Sequence, residues 1–278
     1  RLPRLRGAGR TTGSWPRAGA VVSAGTPGGA AAAPEQSVLT EVIIPQPGDP
    51  RGGELTGVLG VPRGPGPHPA LVVVHEVFGI DDSMRAHLER LVGLGYVVLM
   101  PNLFSRGGAR RCLTATFRAL RAGAGPAFDD IAAARRLLLG RDDTGDRVGV
   151  IGFCMGGGFA LLLASSGDYD ASAVNYGMLP ADLDDTLDGA CPIVGSFGGR
   201  DRTLPGAAAK LEAALAARGI DHDVHEYPEA GHAFLNPLPA GPALMRVLMK
   251  PMMAGGHRPA EAEDAWGRID RFFRRHLG

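Results

Sequence analysis

From residue 39 onward, short apolar runs alternate with longer segments in which apolar residues recur every three or four positions. Several of the short runs, including 70–77 and 147–153, are nearly continuous in valine, isoleucine and other apolar residues. Such runs are typical of strands that are buried on both faces of a mainly parallel sheet. We therefore predict eight strands, at residues 39–46, 55–62, 70–77, 96–101, 147–153, 171–177, 191–198 and 221–228.

Amphipathic segments lie between and after these strands and predict five helices, at residues 83–94, 128–139, 156–166, 205–218 and 260–276. The turn-rich sequence PGDPRGGE between the first two strands predicts a leading hairpin. Strand and helix then alternate, which indicates an α/β fold with helices on both faces of an eight-stranded sheet. In such sheets, functional residues gather at the carboxyl ends of the strands.

Residues 1–36 differ from the rest of the chain. Five arginines precede the first acidic residue, Glu35, and glycine, alanine, serine and proline dominate without apolar periodicity. We predict a disordered basic leader at 1–36, followed by a single catalytic domain at 37–278. The weak apolar run AGAVVSAG leaves a secretory signal open as an alternative.

Charge and cysteine usage narrow the function classes. The 29 basic and 29 acidic residues balance, and no apolar segment approaches the roughly 18 residues that span a bilayer. We therefore expect neither a nucleic-acid partner nor a membrane partner. The three cysteines form no CxxC pair, so neither a disulfide framework nor a zinc site is predicted. A functional free thiol suits a cytoplasmic protein, which we expect to be a monomer or a weak homo-oligomer.

Cys154 lies at the centre of the sequence VGVIGFCMGGGFALLLA, residues 148–164. Gly152 and Gly156 flank it in the pattern G-x-nucleophile-x-G, in which a sharp strand-to-helix turn leaves no room for side chains two positions away. The dinucleotide pattern G-x-G-x-x-G fails, because Leu161 occupies the third glycine position. A nucleophile at a helix N-terminus and a structural cysteine in a tight turn both remain open at this point.

Two further strand ends favour the nucleophile. Asp201 follows the seventh predicted strand and His232 follows the eighth. Nucleophile, acid and histidine in this chain order are the arrangement of α/β-hydrolases, in which the carboxylate holds the imidazole that moves the proton of the nucleophile. Alone, Asp201 could cap a helix and His232 could be a loop histidine. Together with Cys154 they predict a catalytic triad.

On six motifs in the same order, the chain resembles the dienelactone hydrolase family, also called carboxymethylenebutenolidases, from about residue 55 to about 236. The motifs are HEVFG (75–79), PNLFSR (101–106), GFCMGG (152–157), NYG (175–177), GGRD (198–201) and AGHAF (230–234). The resemblance implies an α/β-hydrolase that opens a lactone or cleaves a small carboxylic ester through a cysteine nucleophile. It implies no metal and no organic cofactor.

The resemblance also implies roles for individual residues. Glu76 would pair with the nucleophile and accept its proton, and the backbone amides of Met155 and Val77 would form the oxyanion hole. Arg106 would bind a substrate carboxylate, and Tyr176 would lie near the active site. The alternatives are a surface acid for Glu76, part of an arginine-rich solvated face for Arg106, and a core aromatic for Tyr176.

Asn236 marks a departure from the family pattern. Family members carry a second carboxylate-binding arginine four residues after the catalytic histidine, and Asn236 occupies that position. We therefore expect Asn236 to bind substrate, with recognition of a carboxylate weakened or absent. Residues 237–257 form a Met-rich and Pro-rich insertion that either lines a substrate entrance or is a surface loop.

Three other functions remain open on the sequence alone. One is an esterase or thioesterase of the same fold that acts on another substrate. The second is a nucleotide-binding α/β protein, and the third is a non-catalytic interaction protein with the same fold.

Overall fold

The computed structural model describes residues 39–244, 247 and 256–278, and in this part of the chain eight strands form one sheet. The strands are β1 (Leu39–Ile43), β2 (Thr56–Gly60), β3 (His68–Val74), β4 (Val97–Pro101), β5 (Thr144–Phe153), β6 (Ala171–Asn175), β7 (Ile193–Gly198) and β8 (His222–Tyr227). Their order across the sheet is β1-β2-β4-β3-β5-β6-β7-β8. All eight predicted strands are confirmed, with boundaries that differ by a few residues.

Most neighbouring strands are parallel. Strands β1 and β2 form the predicted antiparallel hairpin, and β2 pairs antiparallel with β4. Every pairing from β4 to β8 across the sheet is parallel. In β3, Val72 and Val74 face one core and Leu71 and Val73 face the other, and all four are completely buried. This two-sided burial explains why the strand is continuously apolar in the sequence.

The described helices cover both faces of the sheet. They are α1 (Asp82–Gly93), α2 (Ala109–Ala122), α3 (Pro126–Leu139), α4 (Met155–Ala164), α5 (Leu183–Thr186), α6 (Ala207–Ala217) and α7 (Pro259–Leu277). The apolar residues of α2, α3, α4 and α6 pack on one face, whereas those of α1 and α7 pack on the other. The predicted α/β architecture and all five predicted helices are confirmed.

Helix α2 was not predicted. Thr116, Ala119 and Leu120 form part of its buried face, at the three- and four-residue spacing of a helix. Its first residue follows Gly108, which offers no side chain to cap the helix, so the usual signal for a helix start is absent from the sequence. The arginines of this stretch also obscure its short apolar stripe.

Two predicted segments extend beyond the described residues. The basic leader at 1–36 lies outside them, and so does much of the 237–257 insertion. The single catalytic domain at 37–278 stays a prediction. Among the described helices, none combines the length and apolar character needed to cross a membrane.

Glycines allow helix α4 to approach the sheet closely where β5 ends. A Cβ atom added to Gly152 would lie 1.9 Å from the carbonyl oxygen of Gly156. A Cβ atom added to Gly156 would lie 2.0 Å from the carbonyl oxygen of Val74, in β3. Both distances are far below van der Waals contact, so the turn after β5 requires backbone packed directly against backbone.

This close packing predicts a strong effect of one methyl group. We expect Gly156→Ala to lower the free energy of unfolding by about 3 kcal/mol, because the helix must move away from β3. Gly93→Ala is the matched control, since a Cβ atom there would meet nothing within 4 Å. It should change stability by less than about 1 kcal/mol. Urea denaturation of both variants checks this, and equal effects would contradict the proposed constraint.

Candidate active site

Side chains from the carboxyl ends of five strands meet at one edge of the sheet. They follow β3, β5, β6, β7 and β8, and are Glu76, Cys154, Tyr176, Asp201 and His232. The ring centroids of Tyr176 and His232 are 5.2 Å apart, and His232 binds Asp201 directly. The predicted triad residues are therefore brought together with Glu76 and Tyr176, and their catalytic roles stay predictions.

Cys154 lies in the sharp turn between β5 and α4. Its backbone φ is 54°, a conformation that residues other than glycine rarely adopt. The Cys154 N–H donates to the carbonyl oxygen of Asn175 at 3.1 Å, and the Asn175 amide donates to the Gly152 carbonyl oxygen, also at 3.1 Å. These bonds hold the turn, which places the thiol at the N-terminus of α4, where the helix dipole favours negative charge.

Backbone strain is concentrated at this edge. Among the described residues other than glycine, Cys154, Tyr176 and Ala233 have positive φ values of 54°, 40° and 58°. Each such conformation costs about 1–3 kcal/mol and persists only where its surroundings enforce it. The three residues follow β5, β6 and β8, so the strain coincides with the candidate site.

Asp201 and His232 form a buried hydrogen-bonded pair. His232 Nδ1 lies 2.6 Å from Asp201 Oδ2. The other carboxylate oxygen, Oδ1, accepts from the Thr203 N–H at 2.9 Å and from the Thr203 hydroxyl at 2.5 Å. Because the carboxylate accepts from Nδ1, the proton of a neutral imidazole lies on that nitrogen and leaves Nε2 as a base. Thr203 carries one weak signal in the sequence, its position two residues after the predicted acid.

The charges of this pair stabilise each other. Burial disfavours a charged imidazole, but the hydrogen bond to Asp201 and the hydrogen bond and negative charge of an ionised Cys154 outweigh it and raise the pKa of His232 to about 10. This pKa therefore belongs to the ion pair in which the thiol proton has moved to Nε2. Burial also opposes ionisation of Asp201, yet the hydrogen bonds from His232 and Thr203 lower the pKa of this carboxyl. His232 Nε2 makes no hydrogen bond of ordinary geometry within the described chain, although Cys154 is close enough to affect its pKa. The arrangement can therefore hold a proton taken from a nearby thiol.

Glu76 and Asn236 are buried and bound to each other. The Asn236 side-chain nitrogen donates to both carboxylate oxygens of Glu76, at 3.1 Å each. The Asn236 side-chain oxygen lies 2.9 Å from His87 Nε2 and accepts from the Tyr176 hydroxyl at 3.2 Å. These four residues, Glu76, His87, Tyr176 and Asn236, are called the Asn236 network below. Both the nitrogen and the oxygen of the Asn236 side-chain amide are therefore hydrogen-bonded within this network.

Burial controls protonation in the Asn236 network. It raises the pKa of Glu76 to about 7, although the charge of His232 and the hydrogen bond from Asn236 act in the opposite direction. It lowers the pKa of His87 to about 4, so this imidazole is neutral at pH 7 and Nε2 donates to Asn236. Burial and the charge of Glu76 raise the pKa of Tyr176. Glu76 is thus the network member that changes charge near neutral pH.

His87 could have been found from the sequence. It lies three residues after Met84 and four before Leu91 on the buried face of α1. A polar side chain at such a position requires a hydrogen-bond partner, because an unpaired buried group is costly. The sequence does not reveal which partner that is, since Asn236 lies 149 residues away.

His75 also contributes to the site, although no pattern in the sequence predicts a role for it. Its Nε2 accepts from the Leu103 N–H at 3.1 Å, so the proton lies on Nδ1, which donates to the Glu76 carbonyl oxygen at 2.7 Å. Burial lowers the pKa of His75 to about 4, which keeps this tautomer neutral. In a trans peptide the next N–H, that of Val77, points away from the carbonyl oxygen. His75 therefore orients one of the two amides that the resemblance assigns to an oxyanion hole.

Both of these amides are available. Among the described residues, no backbone acceptor binds the N–H of Val77. Met155 is the first residue of α4, where a helix leaves its N–H groups without intrahelical partners. The two N–H groups belong to the residues that follow Glu76 and Cys154, so they lie beyond the carboxyl ends of two neighbouring strands.

The structure places Arg106 in a different cluster. Its guanidinium Nη1 lies 2.9 Å from Asp49 Oδ2 and 3.0 Å from Asp130 Oδ1. Nη2 donates to the Gln46 side-chain oxygen. Two carboxylates therefore already neutralise this cation, and the contacts do not support the predicted role of Arg106 in binding a substrate carboxylate.

The other cysteines offer no comparable arrangement. The Cys112 thiol lies 3.9 Å from the Phe104 carbonyl oxygen, and burial raises the pKa of Cys191 to about 12. Within the described residues, no group of three or more His, Cys, Asp or Glu side chains could hold a metal ion.

Known protein families and curated proteins include matches to this chain. The model of the dienelactone hydrolase family matches residues 55–277. A carboxymethylenebutenolidase of Pseudomonas putida is 30% identical over 207 residues, which cover 71% of this chain and 86% of that protein.

Solved structures show the same fold. The crystal structure of dienelactone hydrolase from Anabaena variabilis aligns with a TM-score of 0.64 at 19% identity, over 88% of this chain and 100% of that chain. An α/β-hydrolase enzyme from a Medee basin deep-sea metagenome library aligns with a TM-score of 0.62 at 14% identity, over 87% and 99% of the two chains. The predicted α/β-hydrolase fold is confirmed.

The buried carboxyl of Glu76 predicts a pH-dependent stability. Its pKa is about 7 against an ordinary value of 4.5, so between these values the folded chain binds more protons than the unfolded chain. The free energy of unfolding must then fall as pH rises through this window. Relative to Glu76→Gln, we expect the wild type to lose about 3 kcal/mol of stability between pH 4.5 and pH 8.

Urea denaturation of both proteins at several pH values checks this expectation. Glu89→Gln is the matched control, because Glu89 is an exposed residue of α1, and its curve should run parallel to that of the wild type. A stability difference between wild type and Glu76→Gln that does not change with pH would contradict the raised pKa.

Proposed function

Because this chain belongs to the dienelactone hydrolase family, we propose that it opens a lactone or cleaves a small carboxylic ester through an acyl-enzyme on Cys154. It is a hydrolase that acts on esters. The observation that carries the finer proposal is the 2.6 Å hydrogen bond between Asp201 and His232, beside the strained turn that presents the thiol. A merely structural cysteine would require neither the buried acid–histidine pair nor the strain.

The first half of the reaction forms a thioester, and it begins with a tetrahedral intermediate. The Sγ atom of Cys154 attacks the substrate carbonyl carbon while His232 Nε2 takes the thiol proton. The carbonyl π electrons move to the oxygen, and the N–H groups of Val77 and Met155 donate to the resulting oxyanion. The Asp201 carboxylate stabilises the imidazolium that forms, through its 2.6 Å hydrogen bond with Nδ1.

Collapse of this intermediate breaks the ester bond and leaves the acyl group on sulfur. The departing alkoxide takes the proton from His232, and in a lactone it stays tethered to the acyl group. Water then attacks the thioester carbonyl, with His232 taking a proton from the water. The second collapse breaks the carbon–sulfur bond, returns the proton to Cys154 and releases the acid.

Glu76 controls the thiol in this proposal. Burial and the charges of Glu76 and Cys154 raise the pKa of Tyr176, so both charges act on the same hydroxyl. Two negative charges at this short range disfavour each other. We therefore assign Glu76 the role of keeping the resting cysteine protonated until substrate binding rearranges the pair.

A specific observation favours the alternative of an esterase or thioesterase with another substrate. Arg106 is committed to Asp49 and Asp130, and Asn236 carries no charge, so neither supplies a free cation for a dienelactone carboxylate. The nucleotide-binding alternative is not favoured, since a Cβ atom at Gly157 would lie 2.6 Å from the Asn175 carbonyl oxygen. That glycine makes room for the protein's own backbone. The cytoplasmic location, the monomer or weak homo-oligomer and the expected absence of a cofactor stay predictions.

Mass spectrometry after brief exposure to 4-nitrophenyl acetate tests the proposal. We expect one acetyl group on Cys154 of the wild-type protein. His232→Ala should lower kcat/KM by about a thousandfold, because it removes the base for both steps. Cys112→Ala and Cys191→Ala are the controls and should retain activity. Acetylation confined to Cys112 or Cys191 would contradict the assignment of the nucleophile.

A further inference from the structure

We propose that the site selects esters and lactones that carry no negative charge next to the scissile bond, and that the Asn236 network sets this preference. The inference rests on the proposed function and adds the class of substrate. Its structural basis is the Asn236 network together with the charges and apolar side chains around it.

Asn236 cannot pair with a substrate anion without losing contacts that it already makes. Its amide nitrogen donates to both oxygens of Glu76, and its oxygen accepts from His87 and Tyr176. The side chain is only 5% exposed. An amide donor that turned toward a substrate carboxylate would leave the buried Glu76 carboxylate without these bonds, at the full cost of an unpaired buried charge.

His87 holds the amide in this orientation and stays neutral. Its ring stacks on Phe153 with centroids 4.4 Å apart and an interplanar angle of 15°, and lies 5.3 Å from the Trp266 ring. These aromatic side chains constrain the plane of the imidazole, and the hydrogen bond to Asn236 places Nε2 toward the amide. The histidine therefore positions Asn236 and contributes no positive charge at neutral pH.

The loop beside Asn236 is acidic. Asp81 and Asp82 follow Glu76 at the start of α1, and the charge of Asp81 contributes to the raised pKa of Glu76. His232 is the cation that acts on Glu76, and it is already bound to Asp201. A carboxylate on the substrate would thus approach negative charges that are not fully neutralised.

Three arginines of the surrounding elements are committed to ion pairs. Arg90 of α1 pairs with Glu263 at 2.6 Å, and Arg258, before α7, pairs with Glu261 at 3.1 Å. Arg106 belongs to the separate cluster described above. None of these three guanidinium groups is free to bind a substrate carboxylate without breaking an existing ion pair.

Apolar side chains supply a second, independent observation. An exposed apolar residue lies two positions after each of three network residues. We call these side chains the apolar rim; they are Phe78, Met178 and Leu238, and are 37%, 46% and 46% exposed. Exposed apolar side chains around a site favour a ligand that presents apolar surface. The apolar rim and the Asn236 network therefore both favour an uncharged substrate.

A matched pair of substrates tests the proposal. In 4-nitrophenyl pentanoate and mono-4-nitrophenyl glutarate, the acyl chains have the same number of carbons and a carboxylate replaces the terminal methyl group. We expect kcat/KM to be at least about tenfold higher for the pentanoate at pH 8 and low salt. Because the discrimination is electrostatic, the ratio should shrink as ionic strength rises from about 0.05 M to about 0.5 M. Cys154→Ala measures the uncatalysed background of each ester.

Charge-removing variants extend the test. Glu76→Gln should reduce the preference for the pentanoate, measured as the ratio of the two rates in the same variant. Glu212→Gln is the matched control, since Glu212 is an exposed residue of α6 that binds His222 at the amino end of β8. It should leave the ratio unchanged. If Glu76→Gln is inactive, the wild-type ratio and its salt dependence decide the proposal.

The outcomes separate the two proposals. Equal rates, a preference for the glutarate, or a ratio that salt does not change would overturn the charge selection while leaving the hydrolase mechanism intact. If the glutarate is preferred, Lys210, which lines a cavity beside Thr203, becomes the residue to replace. If neither ester acylates Cys154, the proposed function itself fails.

Discussion

The approach of helix α4 to the ends of β3 and β5 is the constraint on which the site depends. It brings backbone against backbone at Gly152 and Gly156, so the turn between them must be sharp, and the sharp turn forces Cys154 into a positive φ. The same contact brings the end of β3, and hence Glu76 and Val77, next to the thiol. One packing requirement therefore brings the candidate nucleophile, a carboxylate and a candidate oxyanion donor together.

Two buried carboxyl groups at this edge have opposite protonation behaviour, and their neighbours explain the difference. Asp201 accepts hydrogen bonds from Thr203 and from His232, which stabilise its ionised form. Burial of Glu76 outweighs the charge of His232 and the two hydrogen bonds from the uncharged Asn236 amide, so the pKa of Glu76 rises. Separating two similar acids in this way provides one permanent charge and one group that can exchange a proton near neutral pH.

The sequence predicted the sheet, and the edge at which the candidate site lies, better than it predicted the contacts between the residues of that site. Continuous apolar runs such as β3 and the glycines around Cys154 are local signals, because strand burial and a sharp turn each restrict the residues nearby. The partners of His87 and Arg106 are not local signals. His87 binds Asn236 across 149 residues, and Arg106 lies with Asp49 and Asp130 because a loop and a helix meet there. A resemblance could suggest what Arg106 does, but only the packing shows what it contacts.

Trp266 and the ring of His87 link the site to the end of the chain. Helix α7 carries Trp266, which packs against His87 and Phe153, and these rings fix the histidine that holds Asn236. The residues of the candidate triad are all translated before α7, so the network beside them lacks the side chains of α7 until that helix has left the ribosome. During synthesis the candidate nucleophile is therefore present before the side chains that complete its surroundings can pack around it.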